Sequence, residues 1–326
     1  MIQHYGEVAA DDRRGRIGTA IHLFTIKGGI VSGPAIIKFF SVEGRTDINR
    51  FLGMFTLALS LLAITLTLVF YKESPLTLIK KEKEVEALKL MLVLRGETEE
   101  TPKITETLDE FRAMIQEEKL VNAGIFRDGN MKPLLIVLLL KIAFVLTYNY
   151  SLKHVHRDIT KTSKINYTLV LNLVHTFTVV FVLFTIDKGR RTHFIISGFG
   201  TALILIVFGA LRASVSTLPD FLVFLMFLAF EFLSAIGIGL TAVTYSTEAF
   251  CSLKMPGSIA FIGVLENFLQ ILFVIWAENV VNSNVFDVVL LLVSGSILGL
   301  ISVFLFRKLP ETSNISLRSA KNMFML

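Results

Sequence analysis

Residues 187–212 read DKGRRTHFIISGFGTALILIVFGALR. A charged turn, Asp187 to Arg191, opens onto an apolar run that meets its next charge at Arg212. About 20 apolar residues are what a helix needs to cross a bilayer. In hydrocarbon every backbone donor and acceptor must be satisfied within the segment, so such a run is helical. A barrel would show short alternating segments instead. Working outward from 193–212, seven further runs carry the same signature, at 18–38, 51–71, 133–152, 166–186, 221–245, 257–277 and 285–306. The first is interrupted by Lys27, three glycines and Pro34, and reads as a tilted or cavity-lining helix.

Composition agrees with this reading. Of 326 residues, 53% are hydrophobic, 18% are charged and 28 are Phe. The mean hydropathy is +0.66, and soluble domains carry about 25% charged residues. These values exclude a disordered chain, a disulfide-rich secreted module and an ordinary cytosolic enzyme. The lone Cys251 cannot form an intramolecular bridge. A net charge of +5 and a pI near 9.2 do not call for a nucleic-acid partner, because the charges are grouped in loops between apolar runs. The lipid bilayer is the partner they imply.

Orientation follows from the loops. The N-terminus, residues 72–132, the turns at 187–192 and 246–256 and the C-terminal tail hold most of the 32 Lys and Arg. The opposite side holds Arg45, Arg50, Lys153, Arg157, Lys161, Lys164 and Arg212. The richer side is expected to be cytoplasmic, with both termini there. The first 17 residues contain Asp11, Asp12, Arg13, Arg14 and Arg16 and no apolar core, so they do not read as a signal peptide. The stretch 72–132 is polar, with Leu88, Leu92, Leu108, Phe111 and Ile115 at helical spacing. It reads as short amphipathic helices against the membrane face or as a flexible charged linker.

An internal repeat organises the chain. Glu7 opens a polar turn ending at Arg14-Gly15, two apolar runs follow, and Glu73-Ser74-Pro75 closes the set. Glu248 opens a polar turn ending at Pro256-Gly257, two apolar runs follow, and Pro310-Glu311-Thr312 closes it. Four apolar runs lie between the soluble stretch and Glu248, whereas six residues precede Glu7. The expected plan is two helices of a first half (1–71), a cytoplasmic helical linker (72–132), a complete six-helix second half (133–307) and a cytoplasmic tail (308–326).

The ordered set of Tyr5-Gly6-Glu7 with Arg14-Gly15-Arg16, Glu73-Ser74-Pro75, Asp187-Lys188-Gly189-Arg190-Arg191, Tyr245 with Glu248, and Pro310-Glu311-Thr312 resembles the sugar porter family of the major facilitator superfamily, in particular its insect facilitated trehalose transporter-like branch. The resemblance implies an all-α polytopic membrane protein of the major facilitator fold, its eight runs equivalent to helices five to twelve of twelve. It implies that Glu7, Arg14, Asp187, Arg190, Arg191 and Glu248 form a cytoplasmic charge network that locks the two halves and breaks when the carrier opens inward. Lys254 stands one residue before the position where the family usually has Arg, which is Met255 here, and the first proline of the family's Pro-Glu-Ser-Pro is Lys72. Both departures would weaken that lock.

Sugar recognition needs polar side chains and a stacking aromatic around a cavity near the bilayer midplane. By the resemblance, His22 stands where the family has glutamine on its fifth helix. Lys141 lies in the neighbourhood of a Gln-Gln pair on the seventh, with Tyr148 and Asn149 keeping part of that motif. His175 and Asn172 stand three apart on one face of the eighth, and Asn267 is retained on the eleventh with Gln270 on the same face. Each residue also has a plainer reading, an interhelical hydrogen bond worth about 0.6–2 kcal/mol. Lys141 in a membrane needs a carboxylate, for which Glu231 and Glu266 are the candidates, or a water cavity. Glu266 carries a second reading as a proton relay.

No enzyme, metal or cofactor motif emerges. The expected function is facilitative transport of a hexose or trehalose by alternating access, at the plasma membrane. The alternative is a truncated or diverged membrane paralogue that moves nothing.

Overall fold

The computed structural model describes residues 7–22, 72–120, 130–148, 167–215, 218–250, 255–279 and 284–325, with isolated positions between 54 and 65 and at 126 and 152. Among the described residues the regular structure is entirely helical. By its contacts the chain divides into two units, Met1–His22 with Ala113–Leu326, and Leu23–Arg112. The first helix therefore groups with the C-terminal helices.

The first unit holds α1 (Arg14–His22) and, after α2 to α4, seven further helices: α5 (Met131–Thr147), α6 (Tyr167–Leu183), α7 (Arg190–Ser214), α8 (Asp220–Glu248), α9 (Met255–Asn279), α10 (Asn284–Lys308) and α11 (Leu317–Met325). The helices from α5 to α10 pack on one another. Central α7 packs on α8 and α10, α8 on α5 and α6, and α5 on α9 and α10. Among the described residues, four helices are long and apolar enough to cross a membrane, Arg190–Ser214, Asp220–Glu248, Pro256–Trp276 and Val285–Lys308. The 29 residues of α8 reach about 44 Å at the helical rise, beyond the hydrocarbon thickness. The expected runs at 18–38 and 51–71 lie mostly outside the described residues. Met54, Leu57, Leu61 and Ile64 within the second are helical.

Side chains fix the ends of these helices. The run expected to 152 stops earlier as a helix, at Thr147, whose hydroxyl donates to the Phe144 carbonyl at 2.9 Å. Helix α6 ends at Leu183, and a 3₁₀ turn over Ile186–Lys188 carries Asp187 into the interior. Helix α7 begins at Arg190, a turn before the expected start, because its first amides find partners elsewhere in the fold. The tail expected at 308–326 contains a helix, α11, that buries Leu317, Ala320 and Phe324. The Phe324 ring meets Tyr245 edge-on at 5.7 Å.

The α7–α8 contact is backbone on backbone. A Cβ at Gly237 would lie 2.3 Å from the carbonyl oxygen of His193, so only glycine lets the helices approach this closely. Beside it, the Ser197 hydroxyl donates to the Leu233 carbonyl at 2.7 Å and accepts from the Ile238 amide at 3.1 Å.

The second unit holds α2 (Pro75–Lys80), α3 (Glu84–Arg95) and most of α4 (Pro102–Leu120), so the linker is helical as expected. Phase is where the expectation slips. Helix α3 buries Ala87 and Met91, one position before the expected Leu88 and Leu92, whereas Leu108, Phe111 and Ile115 are buried as the spacing required. The sequence EVEALKLMLVLR is apolar on so much of its circumference that a 3.6-residue period does not single out one stripe.

Candidate functional site

The charged turns converge on one buried carboxylate. Glu248 ends α8 and is fully buried. Its Oε1 accepts from Arg190 Nη1 at 2.5 Å and from Arg14 Nη1 at 3.0 Å. Both guanidinium groups are buried, a setting in which ion pairs are held in fixed geometry and little screened. Arg14 opens α1 and also reaches Asp11 at 2.5 Å. Arg190 opens α7 and donates through Nη2 to Asp187 at 3.0 Å. Asp187 in turn caps the start of α1, accepting from the Gly15 amide at 2.9 Å and the Arg16 amide at 3.2 Å. A Cβ at Gly15 would sit 2.1 Å from Asp187 Oδ1, so a glycine is required for this approach. Helices α1, α7 and α8 thus meet through alternating charges.

The Pro310-Glu311-Thr312 segment belongs to the same network, a connection the sequence reading kept separate. The N-cap of α7 is Gly189, which has no side chain to offer. Glu311 takes that role from 120 residues away: its two oxygens accept from the Arg190 and Arg191 amides, each at 3.1 Å. An anion there also meets the positive end of the helix dipole. Thr312 accepts from Arg190 Nη1 through its carbonyl at 2.9 Å, Tyr245 donates to the Pro310 carbonyl at 2.9 Å, and Arg191 reaches the Phe306 carbonyl at 2.5 Å. Asp11 and Tyr245, like Glu311, were not assigned to this network by the sequence. The signal available for Glu311 was a helix start whose cap is glycine, which leaves amides to be satisfied from elsewhere. Glu7 is buried near the start of the described chain. Lys254 lies outside the described residues.

Glu73, Ser74 and Pro75, in the second unit, build a helix start. Ser74 caps α2, accepting from the Thr77 amide at 3.1 Å, and Pro75 occupies the first turn, where no amide hydrogen is needed. Glu73 pairs with Lys81 at 2.5 Å.

Inside the bundle a second polar cluster gathers side chains from four helices. Lys141 on α5 pairs with Glu266 on α9 at 3.0 Å, which selects Glu266 over Glu231 as its partner, and its ammonium lies 5.6 Å from the Phe144 ring centre. Glu231 on α8 instead holds His175 on α6, with Nδ1 to Oε2 at 2.7 Å. Tyr148 reaches His175 Nε2 at 3.5 Å and Ser234 Oγ at 3.4 Å, its ring edge-on to the imidazole at 5.7 Å. Gln270 donates to the Tyr148 carbonyl at 3.2 Å. Four candidate binding residues, Lys141, Tyr148, His175 and Gln270, therefore come together, and Glu231, Ser234 and Glu266 join them. Asn267 does not: it is exposed, and its amide is satisfied by the Gly263 carbonyl of its own helix at 2.8 Å. His22 is the last residue of α1, and Asn149 lies outside the described residues.

The same helical fold is found among solved structures. The chain matches the "proton:xylose symporter XylE bound to 6-bromo-6-deoxy-D-glucose" with a TM-score of 0.81 at 19% identity, covering 99% of this chain and 70% of that one. A double-Trp XylE mutant gives 0.83 at 20% identity. The description "Sugar (and other) transporter" matches residues 4–324. The chain belongs to that family, which is one of transporters and not of enzymes. Its relatives include the mouse "Solute carrier family 2, facilitated glucose transporter member 2", 31% identical over 202 residues, and the chicken member 1, 26% identical over 324 residues and 95% of this chain. The chain spans 38% of the mouse protein and 64% of the chicken protein.

Proposed function

We propose that this chain serves a carrier that moves a neutral sugar, a hexose or trehalose, down its gradient by alternating access. The supporting observation is the buried Arg14–Glu248–Arg190 bridge, which ties α1, from the first copy of the repeat, to α7 and α8 of the second. A pair of buried cations on one carboxylate is strongly unfavourable to break piecemeal but is released as a unit when the elements part. That makes it a lock on a two-state equilibrium, with Asp187, Arg191 and Glu311 fixing the same helix starts. Glu7 and Lys254 are assigned to this lock through the sequence motif. The Lys141, Tyr148, His175 and Gln270 cluster is the substrate contact region in this reading, with His22, Asn149 and Asn267 as its further candidates. The membrane is the plasma membrane and both termini face the cytoplasm, which epitope tags reachable only after permeabilisation will test.

The deciding experiment is uptake of labelled glucose and trehalose into cells expressing the chain, with and without an imposed pH gradient. Saturable uptake that ignores the gradient is expected. Uptake that follows the gradient rejects uniport. A second reading, a folded membrane paralogue that transports nothing, draws on the occupation of Lys141 and His175 by internal carboxylates. Absence of saturable uptake by protein present at the cell surface would leave only that reading.

A further inference from the structure

Helices α2 and α3 of the second unit line a cleft. Helices α2 and α3 meet at a sharp bend, where Glu82 adopts a left-handed φ of 61°. The bend encloses a space of about 410 Å³. Four lysines rim it: Lys72, Lys81, Lys83 and Lys89. Two are neutralised locally, Lys81 by Glu73 at 2.5 Å and Lys83 by Glu86 at 3.1 Å. Lys72 and Lys89 have no ion-pair partner among the described residues, so the cleft carries an uncompensated positive charge. Its remaining wall is apolar, formed by Leu78, Leu90 and Val93. Val93 is 67% exposed, and Val85 on the same helix is 68% exposed.

We propose that this cleft takes the phosphate headgroup of an anionic membrane lipid, with the start of the acyl chain against α3. The two ingredients favour this occupant jointly. Unpaired lysines attract phosphate, and each basic residue near an anionic leaflet contributes to binding. Exposed valines beside them gain from an acyl chain and gain nothing from a soluble phosphate compound. The Lys/Arg asymmetry places this segment on the cytoplasmic side, whose leaflet carries anionic lipids.

The test is native mass spectrometry of the detergent-purified full chain, which needs no transport and so stands apart from the carrier reading. Dioctanoyl phosphatidic acid is expected to be retained, dioctanoyl phosphatidylcholine not, and glycerol 3-phosphate at least about tenfold more weakly. The K72Q/K89Q double variant should lose about thirtyfold in phosphatidic acid affinity, while K72R/K89R keeps it. Equal retention of phosphatidylcholine, glycerol 3-phosphate bound as tightly as the lipid, or unchanged binding by K72Q/K89Q would each overturn the assignment.

Discussion

The two polar clusters of the bundle are built differently. At the ends of α1, α7 and α8, charge meets charge at 2.5–3.0 Å and the participants Arg14, Arg190 and Glu248 are wholly buried. At the C-terminal end of α5, Tyr148 touches His175 of α6 and Ser234 of α8 only at 3.5 and 3.4 Å. Between these extremes the Lys141–Glu266 pair is close, at 3.0 Å, with side-chain exposures of 17% and 20%. The turn network fixes positions, since each group has one geometry and leaving it strands a charge. The inner cluster is uneven: His175 and Glu231 are as close as the turn pairs, at 2.7 Å, whereas the longer Tyr148 contacts are those that a ligand could exchange for other hydrogen bonds.

Removing one member separates them most sharply. Arg190→Ala removes a buried cation shared by Glu248 and Asp187, leaving Glu248 to Arg14 and Asp187 to the α1 amides, and should cost about 3–5 kcal/mol in the unfolding of purified protein, as breaking buried pairs does. A loss below about 1 kcal/mol would mean that water reaches this network and that it is an ordinary surface cluster. Lys141→Met should cost less, and the double variant Lys141→Met/Glu266→Gln should recover about 1–2 kcal/mol of that loss, since no lone carboxylate then remains. Additive effects would show that the two side chains do not rely on each other. The smallest change in stability is expected for Tyr148→Phe, about 0.6 kcal/mol by the average worth of such bonds in membranes. If Tyr148 contacts sugar, the same variant shifts half-saturation of uptake by roughly tenfold. A stability loss with unaltered uptake would reduce Tyr148 to a packing residue.

The same contrast explains what the sequence disclosed. The turn network was legible because its members sit in short local motifs of charges that have no other reason to interrupt apolar runs. What escaped was Glu311, whose partners are backbone amides and so leave no matching side-chain letter. Within the bundle, polar letters marked Lys141, Tyr148, His175 and Gln270, but partner choice is a matter of rotation about helix axes, which periodicity fixes poorly. Hence Glu231 and Glu266 were interchangeable in the sequence, and Asn267 is exposed and bonded within its own helix rather than joined to the cluster. The continuous apolar character of α3 hid its phase for the same reason.

The seam at Gly237 has a mechanical consequence. With main chain resting on main chain and Ser197 bonded across it, α7 and α8 cannot slide past one another by even one residue without collision. Whatever rocking the molecule performs, these two rods travel together as one beam, and the flexing must be taken up at the turns that flank them.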